Sequence, residues 1–444
     1  MPTSPPRGLR LRPFRAVRYT AAAAPDLAAV IAPPYDVIDD DQRLELEARA
    51  PYNVVRLILP REATPPAASG EQARLPALVH GDRYANASAI FDRWLDDGVL
   101  AADGAPALYV YQQRRASTVL QRGLFGAVVW QPLDAGVILP HENVRPGPVE
   151  DRLALMRAMQ ANPEPIFLLY DGGGAASEIG AAVAMTQPLT STRTDDGIDH
   201  ELWAITATAD LARIDADLAT RTAMIADGHH RYTTYGYLRD EMHDADGGDG
   251  PWDLGLTLLV DNSVATPDIR AIHRAIPGLS LADAAQRAAS GFEVHTLTDA
   301  GDVDTALAIL ATRNGPAFVI SDGHQFVLLS SPDAAGLAAA KPAEHTAAWW
   351  NLDASIASVF LMERLWGVHD AAGEVEAEHD PLAALRLAET THGVALLLNP
   401  APLAGIVAVA EAGDAMPRKS TLFLPKPPSG IVMRAFRFDA ADHP

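Results

Sequence analysis

The stretch IADGHHRY (Ile225 to Tyr232) lies near the middle of this 444-residue chain and decides how its fold is interpreted. An apolar run ends there in an aspartate and a glycine, and two histidines and an arginine follow directly. Polar groups are costly to crowd together unless something binds to them. The pattern predicts a strand that ends at Asp227, a sharp turn at Gly228 and a helix that begins at the histidines.

This predicted geometry suits an anion. Backbone N–H groups in the first turn of a helix have no acceptor within the helix, and the helix dipole favours negative charge there. Arginine and histidine side chains add further donors, and a guanidinium matches phosphate oxygens. We therefore predict that a nucleotide phosphate binds at Gly228, His229, His230 and Arg231.

Two other interpretations of the same stretch exist. Asp227 could simply cap the helix while the basic side chains face solvent. A metal site is disfavoured, because adjacent histidines on a helix point in different directions and the spacings HxxxH and HExxH are missing.

A second polar motif, LPHENVRPGPVEDRL, occupies residues 139–153. Glu142 stands where a strand is predicted to end, ahead of a proline-rich loop and a helix. A carboxylate beside a phosphate site can act as the general base for a hydroxyl that attacks phosphorus. His141 and Arg145 lie next to it in sequence and are candidate substrate-binding residues.

Two further groups of residues have open roles. Asp36, in APPYDVI, could hold Mg²⁺ or a substrate amine, or it could cap a turn. Lys419, Ser420 and Lys426 form the only basic spot in an acidic C-terminal half. They could reach the phosphate site or lie on an edge strand.

Composition narrows the class of protein. The chain has 35 Lys+Arg against 57 Asp+Glu, a net charge of −22, which disfavours nucleic acid and anionic membranes as partners. It has no cysteine, so disulfides, thiolate metal sites and a cysteine nucleophile are excluded. No long apolar run and no secretory signal are visible, so we expect a cytoplasmic protein.

The order of predicted elements indicates the fold class. Strands and helices alternate, which favours an α/β or α+β protein with a mixed sheet. PYNVVRLILP is predicted to be a strand ending at Pro60, and the glycine-rich acidic segment DADGGDGPWD is a natural boundary. A helix is predicted from Asp82, with Phe91 and Trp94 at helical spacing and Gly98 as its terminator. ALYVYQQ and GLFGAVVW are predicted to be paired strands joined by a polar turn around RRAST. We predict an N-terminal segment over 1–98 that packs on the core, a central domain over 99–245 and a C-terminal α/β domain over 252–444.

Three features together resemble a known family. They are PHE at residues 140–142, an NPEPI strand entry, and a strand that ends in DGHHR. They resemble the ParB/sulfiredoxin-like fold of free L-serine kinases over about residues 139–241. The resemblance implies a central ParB/sulfiredoxin-like domain that uses ATP or ADP with Mg²⁺. It further implies that Glu142 is the base for the substrate hydroxyl. In a kinase, Asp227 could orient either the Mg²⁺ ion or His230, so Asp227 and His230 are candidate catalytic residues and Asp227 is a candidate Mg²⁺ ligand.

Over its whole length the chain resembles a bacterial and archaeal family known as domain of unknown function 1015. The matching stretches are APPYDVI, PYNVVRLILPRE, HENVR, EDRL, IADGHHRY and KSTLFLPKP. We expect a nucleotide-dependent kinase that phosphorylates the hydroxyl of a free amino acid or similar small molecule, with L-serine the favoured acceptor. The alternative is a ParB-like nucleotide-binding sensor or switch without kinase activity.

Overall fold

A computed structural model describes residues 8–62, 82–370 and 374–439 of the chain. The chain divides into two compact units. Unit 1 comprises the chain up to Leu139, Val144–Thr266 and the residues from Pro425 onward, and unit 2 comprises Pro140–Asn143 and Pro267–Leu424. Unit 1 therefore contains both the first and the last of the described residues.

Unit 1 is built from thirteen strands and seven α-helices within the described ranges. With numbering along the whole chain, the strands are β1 (Leu11–Arg12), β2 (Val17–Tyr19), β3 (Leu100–Ala102), β4 (Leu108–Arg115), β5 (Thr118–Val129), β6 (Ile138–Leu139), β7 (Ala161–Asn162), β8 (Ile166–Tyr170), β9 (Thr190–Arg193), β10 (Ile198–Ile205), β11 (Ala223–Asp227), β12 (Leu254–Asp261) and β21 (Arg434–Ala435). The helices are α1 (Asp40–Arg49), α2 (Val55–Ile58), α3 (Arg83–Asp96), α4 (Pro146–Met159), α5 (Ala175–Val183), α6 (Thr208–Leu218) and α7 (His229–Asp246).

One large sheet organises unit 1, in the order β6-β11-β8-β12-β5-β4-β10-β9, with β1 paired to β5. β11 runs parallel to β6, and β8 runs parallel to β12, whereas the other neighbours are antiparallel. The predicted mixed sheet and α/β class are therefore confirmed. The predicted hairpin around RRAST is confirmed too, as β4 and β5.

The helix predicted from Asp82 is present as α3, with Asp82 as its N-cap residue. The Asp82 carboxylate accepts the Tyr84 N–H at 2.9 Å and caps α3. Phe91 and Trp94 lie on the buried face of the helix. Gly98, with φ 71°, follows the helix in the left-handed conformation that glycine favours. The N-cap residue, the buried residues at helical spacing and the glycine that ends the helix all match the predicted helix, so the prediction is confirmed.

The segment PYNVVRLILP was predicted to be a strand, and that prediction is wrong, because it forms the short helix α2. Val55, Leu57 and Ile58 are all fully buried, so the apolar run has no periodicity that separates helix from strand. The side chain of Asn53 directs the turn. Its Oδ1 accepts the Val55 N–H at 3.0 Å, and its Nδ2 donates to the Ala29 carbonyl at 2.9 Å.

Unit 2 contains a six-stranded antiparallel sheet, in the order β15-β17-β16-β19-β14-β18, and a separate pair, β13 with β20. The strands are β13 (Asp268–Arg270), β14 (His273–Ile276), β15 (Glu293–Thr296), β16 (Phe318–Ser321), β17 (Phe326–Ser330), β18 (Glu376–Glu378), β19 (Val394–Leu397) and β20 (Leu422–Leu424). The helices are α8 (Leu281–Ala288), α9 (Val303–Ala311), α10 (Ala334–Ala340), α11 (Ala347–Trp350), α12 (Asp353–Ile356), α13 (Pro381–Thr390) and α14 (Leu403–Glu411), and a π-helix covers Ala357–Trp366.

The division into units differs from the predicted domain boundaries. The described residues of the predicted N-terminal segment and most of the predicted central domain lie in unit 1, which also contains residues 252–266 and the last described residues, whereas residues 140–143 of the predicted central domain belong to unit 2. The reason is pairing between segments that are distant in sequence: Val17 and Met433 exchange both backbone hydrogen bonds at 2.9 Å.

In the part of the chain that the structure describes, no helix is long and apolar enough to cross a membrane.

Candidate functional site

The predicted strand-to-helix turn is present in unit 1. β11 ends at Asp227, and α7 begins at His229. Gly228 between them has φ 98°, and a Cβ atom there would lie 3.0 Å from the Ile166 Cγ2 atom. The turn therefore needs glycine both for its backbone angle and for space. It directs the first-turn N–H groups of α7 beyond the end of β11, as expected for an anion site.

Asp227 is buried and carries two ion pairs. Its Oδ2 atom accepts a hydrogen bond from Arg231 Nη2 at 2.5 Å, and its Oδ1 atom accepts one from Lys426 Nζ. Burial alone would raise the pKa of the Asp227 carboxyl, but the charges of Lys426 and Arg231 outweigh it and lower this pKa to about 2. The carboxylate is therefore ionised at neutral pH and serves two cations at once.

Lys426 reaches this carboxylate from the C-terminal segment of unit 1. Its side chain is 13% exposed. Burial would lower the pKa of its ammonium group, but Asp227 and Asp36 raise it above its ordinary value. The sequence left open the role of the basic spot formed by Lys419, Ser420 and Lys426. Of these residues, Lys426 lies at the predicted phosphate site, whereas Lys419 and Ser420 belong to unit 2.

Arg231 occupies a more internal position than a phosphate ligand would. Its side chain is 2% exposed, and its Nη1 atom donates to the Pro165 carbonyl. Its Nε atom is buried and has no hydrogen-bond partner within the described residues. The guanidinium thus braces the turn from inside, holding the Asp227 carboxylate and the entry to β8 together.

The two histidines differ in exposure and environment. His229 is buried, and His230 is half-buried. The Arg145 backbone N–H donates to His230 Nε2 at 3.1 Å, so this nitrogen carries no proton. Burial and the Arg145 guanidinium lower the pKa of His230. The ring is therefore neutral at pH 7 and offers Nδ1–H as its donor.

Glu164 is a buried residue of the site that the sequence analysis did not select. Its Oε1 atom accepts the Tyr35 backbone N–H at 3.0 Å and the Ser429 hydroxyl at 2.9 Å. Arg152 Nη1 lies 3.5 Å from its Oε2 atom. A signal was available in NPEPI, where one acidic residue stands between two prolines just before an apolar strand.

The segment APPYDVI also lies at the site in unit 1, beside the DGHHR segment. The Tyr35 ring centre lies 4.0 Å from Arg152 Cζ and 5.9 Å from Arg231 Cζ. Asp36 is exposed, and its charge acts on His230, Arg231 and Lys426. The structure therefore brings Asp36 into the same electrostatic cluster as the DGHHR segment, although about 190 residues separate them in the chain.

His141 and Glu142 belong to unit 2. His141 is 2% exposed, and its Nε2 atom lies 3.2 Å from Thr421 Oγ1. Its carbonyl accepts the Met416 N–H at 2.8 Å, and its ring packs 5.6 Å from that of Phe423. These contacts give His141 a packing role within unit 2. Glu142 is half-buried.

Asp227 does not have the environment of a Mg²⁺ ligand. Each of its oxygens already accepts a hydrogen bond from a cation, and a divalent ion there would meet both positive charges at close range.

Another group, His243, Asp249 and Asp253, has ligand atoms within 4.8 Å of one another. There Asp253 accepts hydrogen bonds from Arg239 Nε and the Gly250 N–H, so the Arg239 cation already pairs with this carboxylate.

Comparison with solved structures finds chains that are similar to this one at low identity. A free serine kinase in complex with AMP is 13% identical, with a TM-score of 0.33, and the match covers 68% of this chain and 86% of that one. C-terminally truncated SbnI from Staphylococcus aureus is 12% identical, with a TM-score of 0.34 and coverage of 69% and 86%. A conserved hypothetical protein from Pyrococcus furiosus is 14% identical, with a TM-score of 0.34 and coverage of 73% and 100%.

Comparison with curated proteins finds no match. A family model described as "Protein of unknown function (DUF1015)" matches residues 11–355, which is most of the chain. This match agrees with the resemblance carried by APPYDVI, HENVR and IADGHHRY. The chain belongs to the DUF1015 family.

Proposed function

We propose that this protein is a nucleotide-dependent kinase that transfers a phosphoryl group to the hydroxyl of a free amino acid, with L-serine the best candidate. The observation that carries the proposal is the turn at Gly228, where first-turn N–H groups of α7 and the cations around Asp227 converge on one side of unit 1. Such a turn binds phosphate through backbone donors and positive charge.

In this proposal the nucleotide phosphates lie over the N–H groups of residues 229–231. Phosphoryl transfer needs positioning and charge stabilisation more than covalent chemistry from the protein. His230 would donate its Nδ1–H to a phosphate oxygen, since its Nε2 already accepts the Arg145 N–H. The lowered pKa of His230 agrees with this assignment, because the neutral ring has one proton and Nε2 is the acceptor.

Asp36 is the exposed carboxylate of the cluster and suits the ammonium group of an amino acid. Arg145, at the start of α4, suits the carboxylate of the same substrate. Both assignments make a zwitterionic acceptor favourable. An acceptor without an ammonium group would leave Asp36 without this contact.

The assignment of Glu142 as the general base rests on the resemblance of PHE to the motif of the free serine kinases. Glu142 would take the proton from the substrate hydroxyl as its oxygen forms the new bond to phosphorus. The bond between that phosphorus and the bridging oxygen of the nucleotide breaks, and the shortened nucleotide leaves.

The test is a turnover assay with purified protein, ATP or ADP, Mg²⁺ and a panel of hydroxy amino acids, read by phosphorus NMR. We expect a phosphomonoester with serine. In Glu142→Gln, we expect turnover to fall by about 100-fold or more while nucleotide affinity stays within about twofold. Turnover of that variant at the wild-type rate would remove Glu142 from the base role. Nucleotide binding without product for any acceptor would instead favour the sensor.

A further inference from the structure

We infer that Lys426 is the phosphate-binding cation of this site and that Asp227 serves to hold Lys426 rather than to bind a metal. The inference rests on the proposed function, because it concerns the same nucleotide phosphates. It adds a residue from the far end of the chain, and it changes the role assigned to Asp227.

The first argument is the count of donors on Lys426. A lysine ammonium has three N–H groups. One donates to Asp227 Oδ1, and this ammonium has no other hydrogen bond or ion pair within the described ranges. Its side chain is 13% exposed, so it is mostly buried but still reaches the surface. A partly desolvated ammonium with two unused donors favours an additional acceptor.

The second argument is the charge at Asp227. Lys426 and Arg231 carry two positive charges against one negative charge on the carboxylate that they share, and the exposed Asp36 supplies a second negative charge that acts on both cations. This pair of neighbouring cations occurs in a chain whose net charge is −22. An anionic ligand complements this arrangement, whereas a divalent cation opposes it.

The third argument is how Lys426 is held. The Pro425 carbonyl accepts from Gln121 Nε2 at 2.9 Å, and the Lys426 carbonyl accepts from Gln113 Nε2 at 3.4 Å. Both glutamines lie on the central hairpin of the unit 1 sheet. Prolines on both sides of Lys426 restrict the backbone. The lysine is therefore presented by a fixed segment, as a preorganised phosphate contact requires.

The experiment compares nucleotides with a nucleoside. Calorimetry would measure the affinity of ADP, ATP and adenosine for the wild type, Lys426→Met, Lys426→Arg and the exposed-lysine control Lys341→Met. We expect Lys426→Met to weaken ADP and ATP binding by about 10- to 100-fold with little change for adenosine. Lys426→Arg would keep part of the affinity, and Lys341→Met all of it. Equal loss for adenosine, or no loss for ADP and ATP, would overturn the inference.

A second measurement does not depend on a variant that folds. The chain has three lysines, Lys341, Lys419 and Lys426, so acetylation can be followed at each by mass spectrometry. We expect ADP to slow acetylation of Lys426 at least about fivefold relative to Lys341, because the phosphate covers its free donors. Unchanged acetylation of Lys426 in protein that binds ADP would refute the inference about Lys426 but not the proposed function. If the wild type bound neither ADP nor ATP, the proposed function would fail, and the inference with it.

Discussion

At Asp227, one buried carboxylate is shared by Lys426 and Arg231. Removing one member of a buried ion pair is destabilising, because the remaining charge is left without its partner in a low-dielectric site. We expect Asp227→Asn to lower the free energy of unfolding by about 3–5 kcal/mol, measured by urea denaturation at pH 7. Asp36→Asn is the matched control, and we expect an effect within about 0.5 kcal/mol because that side chain is exposed.

The pH dependence of the same variant separates charge from packing. The pKa of Asp227 is about 2 in the folded protein, below its ordinary value of 3.8. The unfolded chain therefore binds more protons between these values, and stability falls as the pH falls. The difference between wild type and Asp227→Asn should be complete above pH 4 and shrink as the pH approaches 2. A difference that stays constant from pH 5 to pH 2 would contradict the charge explanation.

At the scale of elements, the turn at Gly228 joins β11 to α7. Its φ of 98° is unfavourable for a residue with a side chain. The position is also crowded, since a Cβ atom would lie only 3.0 Å from Ile166 Cγ2. We expect Gly228→Ala to cost at least about 1–2 kcal/mol of stability and to weaken nucleotide binding, because the first-turn N–H groups would shift. Thermal denaturation and calorimetry measure the two effects.

Gly180 provides the control for that glycine. It lies inside α5, and a Cβ there would meet nothing within 4 Å. Alanine at this position should stabilise the protein by about 0.5–1 kcal/mol, because glycine is the weaker helix former. If both alanine variants changed stability equally, strain at Gly228 would not be the cause of the loss.

At the scale of the whole chain, Arg434 ties the last described segment into unit 1. Its side chain is fully buried, and it donates to the Leu254 carbonyl at 2.8 Å, to Asn162 Oδ1 at 3.0 Å and to the Pro251 carbonyl at 2.7 Å. We expect Arg434→Met to cost about 3 kcal/mol or more, because it leaves several buried acceptors unsatisfied. Denaturant unfolding measures the loss.

Arg437 offers the contrast three residues later. Its guanidinium pairs with Asp92 at the surface, with both side chains about half exposed. Exposed ion pairs contribute little, so Arg437→Met should change stability by less than about 1 kcal/mol. A large loss for Arg437→Met and a small one for Arg434→Met would show that burial does not decide how much these arginines stabilise the C-terminal segment.

Much of this protein could be predicted from the sequence where local chemistry and spacing agree. The cap at Asp82, the hairpin around RRAST and the turn at Gly228 each depend on neighbours within a few residues, and all three are present. The mixed α/β class follows from the same local patterns. PYNVVRLILP was misassigned because a fully buried run has no period, and the Asn53 contacts that set its helix are tertiary.

Only the tertiary structure decided which residues complete the site. Nothing local indicated that Arg231 would be buried under Asp227 or that Glu164 would hold the backbone of Tyr35. The sequence left open whether Lys426 reaches the phosphate site or lies on an edge strand, and the structure decides for the first. Asp227 and Lys426 are 199 residues apart in the chain. Such contacts depend on which distant segments the fold brings together, and no pattern of neighbouring residues encodes them.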